Sequence, residues 1–324
     1  MTARRTAWII FLGIAAGVLV AAAARAQEEG SAEPLSRGPS LPEIALFDPR
    51  ADPAYGAYQR GYYLTALELA LKRAEAGNAA AQTLIGEIYD RGLGIPRDGK
   101  EAVAWYRLAA DAGDGPGRLA YALKLIEGKD VERDLDEARR LLELAAGDGL
   151  ALASFNLAQL IVEERPDPDG LAKALAHYRA AAESGVPDAA YAMAQIYAQG
   201  LGVEPDDAIA RQWMLKAARA GVDTAEVELG IWLANGRGGD KDEKAAFGWI
   251  AKAARGGNAI ARNRLAKMLV LGIGTTPDVV EAAKWHILAR QSGLTDPWLD
   301  EFLAKLDETS RQKAIAAAQN WPSG

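Results

Sequence analysis

Residues 189–221 read AAYAMAQIYAQGLGVEPDDAIARQWMLKAARAG. Gly200 and Gly202 punctuate the middle of this stretch, and Gly221 closes it. Glycine accepts the left-handed backbone that ends a helix, so the stretch reads as two helices joined by a glycine turn. Asp206, just past the turn, stands where an N-cap belongs. A carboxylate there accepts hydrogen bonds from the first free backbone N–H groups of the second helix. Ala194 gives the first helix a small residue at its centre, which lets a neighbouring helix approach. Tyr197 fills space one turn on. Trp213, seven residues after the cap, is placed to wedge the pair together.

The same sentence recurs along the chain. Gly77, Gly113, Gly149, Gly185, Gly221, Gly257 and Gly293 stand 36 residues apart without a slip. Ala102, Ala138, Ala174, Ala210, Ala246 and Ala282 keep that interval, and so do Ala109, Ala145, Ala181, Ala217, Ala253 and Ala289. Coincident ladders of this kind mark a repeat architecture. Six full copies begin at Asn78, Asp114, Leu150, Val186, Val222 and Asn258. Leu84, Ile85, Ile88 and Tyr89 give the first copy its helical apolar period. Asp98, Asp134, Asp242 and Asp278 repeat the cap, and Glu101, Glu137 and Glu281 add capping-box spacing. Trp105, Trp249 and Trp285 repeat the wedge.

The third copy departs from the pattern. Its turn, Glu164 to Gly170, lacks the Gly-x-Gly and the capping Asp of its register, and His177 replaces Trp. The second copy has only Gly128 in its turn and Leu141 at the Trp position. The middle of the array is therefore expected to be less regular, or more adapted to a ligand. Residues 53–77 read as N-terminal capping helices, with Gly61 between them and the second helix from Ala66 to Glu75. Residues 294–324 read as C-terminal capping helices, Pro297 to Leu306 and Thr309 to Asn320. Terminal caps cover core that an end repeat would otherwise expose.

The pattern A-x-x-x-I/L-G/A-x-x-Y-x-x-G-x-G-V/I-x-x-D-x-x-x-A-x-x-W-x-x-x-A-A-x-x-G resembles the Sel1-like repeat, a relative of the tetratricopeptide repeat. It is carried best by Ala189 to Gly221 and by Ala81 to Gly113, and the resemblance spans about three quarters of the chain. It implies an all-α fold, a right-handed superhelical solenoid of helix pairs with a concave surface. It implies an adaptor function. Periplasmic members include regulators that restrain a sensor histidine kinase, and proteins that interact with peptidoglycan or envelope machinery. Cysteine-rich secreted members are linked to β-lactam binding, and this chain has no Cys to build their disulfides.

If the first helices line the concave side, as the resemblance implies, helical spacing gives the residues that face a partner. Leu119, Leu123, Phe155, Tyr191, Val227 and Ile231 form an apolar strip, flanked by Gln159 and Gln195 with amide donors and acceptors. These positions vary between copies while the ladders do not. Such a strip suits an extended peptide or a helix; the alternative is that curvature buries it as ordinary core.

The remaining features bound the function. The 324 residues allow about two domains of ordinary size and carry a formal charge of −7. Arg4 and Arg5, the apolar run Ala7 to Ala24 and the A-x-A of Ala24 and Ala26 have the layout of a secretory signal peptide, 1–26, cleaved after Ala26. An uncleaved membrane anchor is the alternative, and the only membrane contact expected. Cleavage removes three basic residues and lowers the charge to −10, which argues against nucleic acid as a partner. Residues 27–52, with Pro34, Pro39, Pro42 and Pro49, read as a flexible linker. A periplasmic location is expected. No cofactor, metal or catalytic residue is expected: there is no Cys, the two His have no catalytic partner in sequence, and the Asp ladder is explained by capping. The glycines of the first turn, Gly92, Gly94 and Gly99, have no strand before them. The partner expected is an envelope protein or peptide segment, with peptidoglycan a further candidate. A cell-wall hydrolase, working through a carboxylate such as Glu87 or Glu163, is the competing class.

Overall fold

The structure is a computed structural model that describes residues 52–322. The expected signal segment and all of the linker except Asp52 lie outside the described residues. Sixteen α-helices and no strand are found among those described. No helix among them is long and apolar enough to cross a membrane.

The chain forms two compact units. The first, ending at His177, contains α1 (Pro53–Gln59), α2 (Tyr63–Glu75), α3 (Ala79–Arg91), α4 (Gly99–Asp111), α5 (Gly115–Glu127), α6 (Leu135–Gly147) and α7 (Ala151–Glu164). Each of these packs on the next, and α3 also meets α5. Helix α8 (Pro168–Glu183) contains the boundary. The second unit holds α9 (Pro187–Gln199), α10 (Asp207–Arg219), α11 (Asp223–Asn235), α12 (Glu243–Arg255), α13 (Ala259–Leu271), α14 (Val279–Gln291), α15 (Pro297–Lys305) and α16 (Glu308–Gln319). Neighbours pack in order as far as α14, which takes both α15 and α16 against it.

The turns explain the helix ends. Gly92, Gly128, Gly200, Gly236 and Gly272 close the first helices with φ between 66° and 72°. The chain then doubles back, and a backbone bond ties each turn shut, as from Asp206 N–H to the Tyr197 carbonyl at 2.9 Å. Asp98, Asp134, Asp206, Asp242 and Asp278 cap the second helices through their side chains. The third copy is capped too. Its Asp has moved three positions upstream: Asp167 Oδ1 accepts from Gly170 N–H at 2.8 Å, and α8 is correspondingly longer, at 16 residues.

The small residues at the centres of the first helices are buried without exception. The wedge is not the Trp ladder. Trp105, Trp213 and Trp249 are only half-buried, whereas the next residue in each copy lies in the core: Tyr106, Leu142, Tyr178, Met214, Ile250 and His286. The reason is helical geometry. That position lies four residues after one alanine ladder and three before the other, at the centre of the buried face, and the Trp sits at its margin. From there Trp213 and Trp249 take cations, with Lys216 Nζ 3.8 Å from the Trp213 ring centre, and the Trp105 indole N–H donates to Glu101.

Candidate protein-binding face

The first helix of each repeat buries one face and presents another. Counting from the ladder glycine, positions 3, 7, 10 and 14 contain all of the fully exposed residues of these helices except Asp223. Among the eight residues expected to face a partner, Leu119, Leu123 and Gln159 in the first unit are partly exposed. So are Tyr191 and Ile231 in the second. The other three do not present an open surface. Phe155, Gln195 and Val227 keep only 4%, 8% and 5% of their surface. Phe155 and Val227 belong to the position six residues after the ladder glycine. In two other copies the side chain at that register reaches the next cap within its own unit: Thr83 donates to Asp114 at 2.7 Å and Asn263 to Asp296 at 3.1 Å. At that register Phe155 and Val227 are covered, whereas Leu119 and Tyr191 keep partial exposure.

Sequence spacing missed positions 3 and 7. Leu152 and Ile260, at position 3, are about half exposed, and Arg264, at position 7, is exposed. Glu228, also at position 7, accepts from Tyr191 OH and from Gln195 Nε2, both at 2.8 Å, and Gln199 fixes Gln195 at 3.0 Å. Burial and then the Glu228 carboxylate push the Tyr191 phenol up from its ordinary value, so it stays a neutral donor. The signal available in the sequence was the appearance of charge at a register that is apolar in Leu84, Ala120 and Ala192.

The carboxylates of a competing hydrolytic reading are already engaged. Glu87 takes the Tyr58 hydroxyl at 2.6 Å and Arg91 at 3.2 Å, and Glu163 takes Arg133 at 3.2 Å. The Tyr58 phenol is pushed up by burial and by Glu87. His177 is half-buried, and burial lowers its pKa. His286 bonds Asp300 at 2.8 Å from inside the core. Among the described residues no group of three or more His, Asp or Glu could hold a metal ion. The face offers apolar contact, amides, carboxylates and guanidinium groups at fixed spacing, which is equipment for non-covalent recognition.

The Sel1 repeat family model matches residues 79–114, 118–150, 151–186, 187–222, 224–258 and 259–294. The chain is similar to the crystal structure of a Sel1 repeat protein from Oxalobacter formigenes. The two share 31% identity over 74% of this chain and 98% of that one, with a TM-score of 0.66. It is also similar to c5321, a protective antigen of uropathogenic Escherichia coli with an SLR fold, at 27% identity over 80% of this chain and 64% of that one, with a TM-score of 0.48. No curated protein matches. Six matched repeats, helices packed in consecutive pairs and the similarity to the Oxalobacter protein lead to one conclusion: this chain belongs to the Sel1 repeat family.

Proposed function

We propose that this protein is a non-catalytic adaptor or regulator that docks a segment of a partner protein on the exposed side of its first helices. The supporting observation is one of register. Leu119, Leu123, Leu152, Tyr191, Ile231 and Ile260 stand at recurring helical positions and keep at least partial exposure, while the alanine and glycine ladders of the repeats are constant. A scaffold held fixed under a changing surface suits recognition of one partner. The sequence layout of residues 1–26 supports export to the periplasm, and the partner class we favour is an envelope protein, among them a sensor kinase or a component of the envelope machinery. Mass spectrometry of the purified protein checks export, with an N-terminus at Gln27 as the expected result.

Docking is tested by a photo-cross-linking residue placed at Leu123 or Ile231, and separately at Leu108 or Leu144, which are exposed on second helices. One protein adduct is expected from the first pair and none from the second. Adducts from both pairs alike would remove the case for a dedicated face. Sedimentation with purified sacculi separates a peptidoglycan-binding role, since an adaptor stays in the supernatant. Turnover of muropeptides or β-lactams that is lost on Glu87→Gln or Glu163→Gln would establish the enzyme instead.

A further inference from the structure

The repeat ladder sets each first helix to begin two residues after its glycine, as at Ala79, Gly115, Ala151, Pro187, Asp223 and Ala259. A seventh would begin at Thr295. Helix α15 instead begins at Pro297 and runs for nine residues, against 13 or 14 in the six before it. The late start leaves the side of α13 incompletely covered. A cleft of about 230 Å³ remains there, walled by Ile260 and Leu294 and edged by Arg264, Lys267, Thr295 and Asp296.

Its unpaired charge is of one sign. Asp296 is fully engaged: it accepts from Lys267 at 2.5 Å, from Asn263 at 3.1 Å and from Leu299 N–H at 3.2 Å. What charge remains unused is positive, beside the Thr295 hydroxyl and the Asn263 amide. The Arg264 guanidinium is exposed and makes no hydrogen bond, ion pair or ring contact with any described residue. Lys267 spends its charge on Asp296 and keeps further N–H donors, 6.0 Å from the ring centre of the exposed Trp298. A free guanidinium beside an aliphatic wall, on a chain that is acidic overall, selects for an anion with an apolar neighbour. A planar guanidinium fits a carboxylate with two parallel hydrogen bonds.

We propose that this cleft is a subsite of the docking face, and that it takes an aspartate or glutamate side chain flanked by an aliphatic residue in the partner segment. The inference rests on the docking face proposed above and gives it a chemical preference at its C-terminal end. Arg264 makes the charge-assisted contact, Ile260 and Leu294 take the aliphatic neighbour, and the Asp296 pair holds Lys267 in place.

The test uses the full chain and three hexapeptides, each acetylated and amidated so that only side chains are charged. One alternates Leu with Glu, one Leu with Gln and one Leu with Lys. Binding is followed by calorimetry and by backbone amide resonances. The Leu/Glu peptide is expected to bind, with shifts at Ile260, Arg264 and Thr295, and the Leu/Gln peptide at least about tenfold more weakly. Arg264→Gln should abolish that difference, and Arg264→Glu should transfer the preference to the Leu/Lys peptide. Neither variant should move the melting temperature, because the Arg264 side chain has no partner to lose. Equal binding of the Glu and Gln peptides, or an Arg264→Gln variant that behaves as wild type, would overturn the inference. A concentration-dependent dimer lost in Arg264→Gln would also overturn it, by giving the cleft to a second copy. If these peptides fail while a protein still cross-links at Ile231, the acidic preference falls and the docking face stands. If neither occurs, both fall.

Discussion

A methyl group on Gly86 would lie 2.6 Å from two ring carbons of Tyr106, a buried residue with no room to retreat. At Gly248, on the exposed side of α12, an added methyl meets nothing within 4 Å. The two glycines carry the same intrinsic helix penalty, so context decides the sign of each substitution. Gly86→Ala regains the helix term of roughly 0.5–1 kcal/mol but overpacks a core contact, for a net loss of about 1–2 kcal/mol. Gly248→Ala keeps the helix term and gains about 0.5–1 kcal/mol. Urea denaturation of the two variants measures both. A small residue at the centre of each first helix is legible in sequence, because it recurs every 36 residues. What it packs against is less so. Trp105 draws the eye by size, yet the ring over Gly86 belongs to Tyr106, and the residues at Tyr106's register are too varied to form a ladder: Leu, Tyr, Met, Ile and His follow it.

Among the elements, the helix starts were the easiest to read, because a capping Asp at fixed spacing is a local signal. The third copy shows the limit. Its cap slid to Asp167 and was invisible to a register count, although the chemistry of the cap is unchanged. The C-terminal elements were legible as helices but not in their contacts. Trp321, after α16, packs edge-on against Trp285 with ring centres 4.8 Å apart, and Lys284 Nζ lies 4.5 Å from one ring centre and 4.6 Å from the other. Trp285 is consequently the one buried member of its ladder. Trp321→Ala should cost about 1–2 kcal/mol and red-shift the emission of Trp285, while the exposed Trp298→Ala changes stability by less than about 0.5 kcal/mol. Asp296, the cap of α15, links the same region to pH. Burial pushes its carboxyl up, but hydrogen bonds from Lys267, Asn263 and Leu299 N–H outweigh that and hold it below the ordinary value. A carboxyl lowered on folding stabilises above its unfolded pKa of about 3.9, and that contribution is lost as pH falls through the folded value. Wild type should therefore melt above Asp296→Asn at neutral pH, and the gap should close on acidification below about pH 4.

At the scale of the whole molecule, periodicity made the architecture readable and left the surface unreadable. The ladders identify the helix pairs and the family, because every copy must solve the same packing problem. The boundary between the two compact units falls in α8, within the copy whose turn and Trp position depart from the rest. Exposure along the proposed docking face was half legible. Of the eight residues expected on that strip, Leu119, Leu123, Gln159, Tyr191 and Ile231 keep partial exposure. Phe155, Gln195 and Val227 are covered, because a count of helical positions does not say where the next helix lies. Arg264 and its cleft follow from a helix that starts two residues late, which no repeat pattern announces. The most direct test of the account measures the affinity of the partner captured at Ile231 for two double variants. Leu123→Asp with Ile231→Asp alters first helices, and Leu108→Asp with Leu144→Asp alters second helices at more exposed apolar sites. The account predicts that the first pair weakens binding by more than about tenfold and that the second leaves it within about twofold. Equal losses, or a loss confined to the second pair, would contradict it.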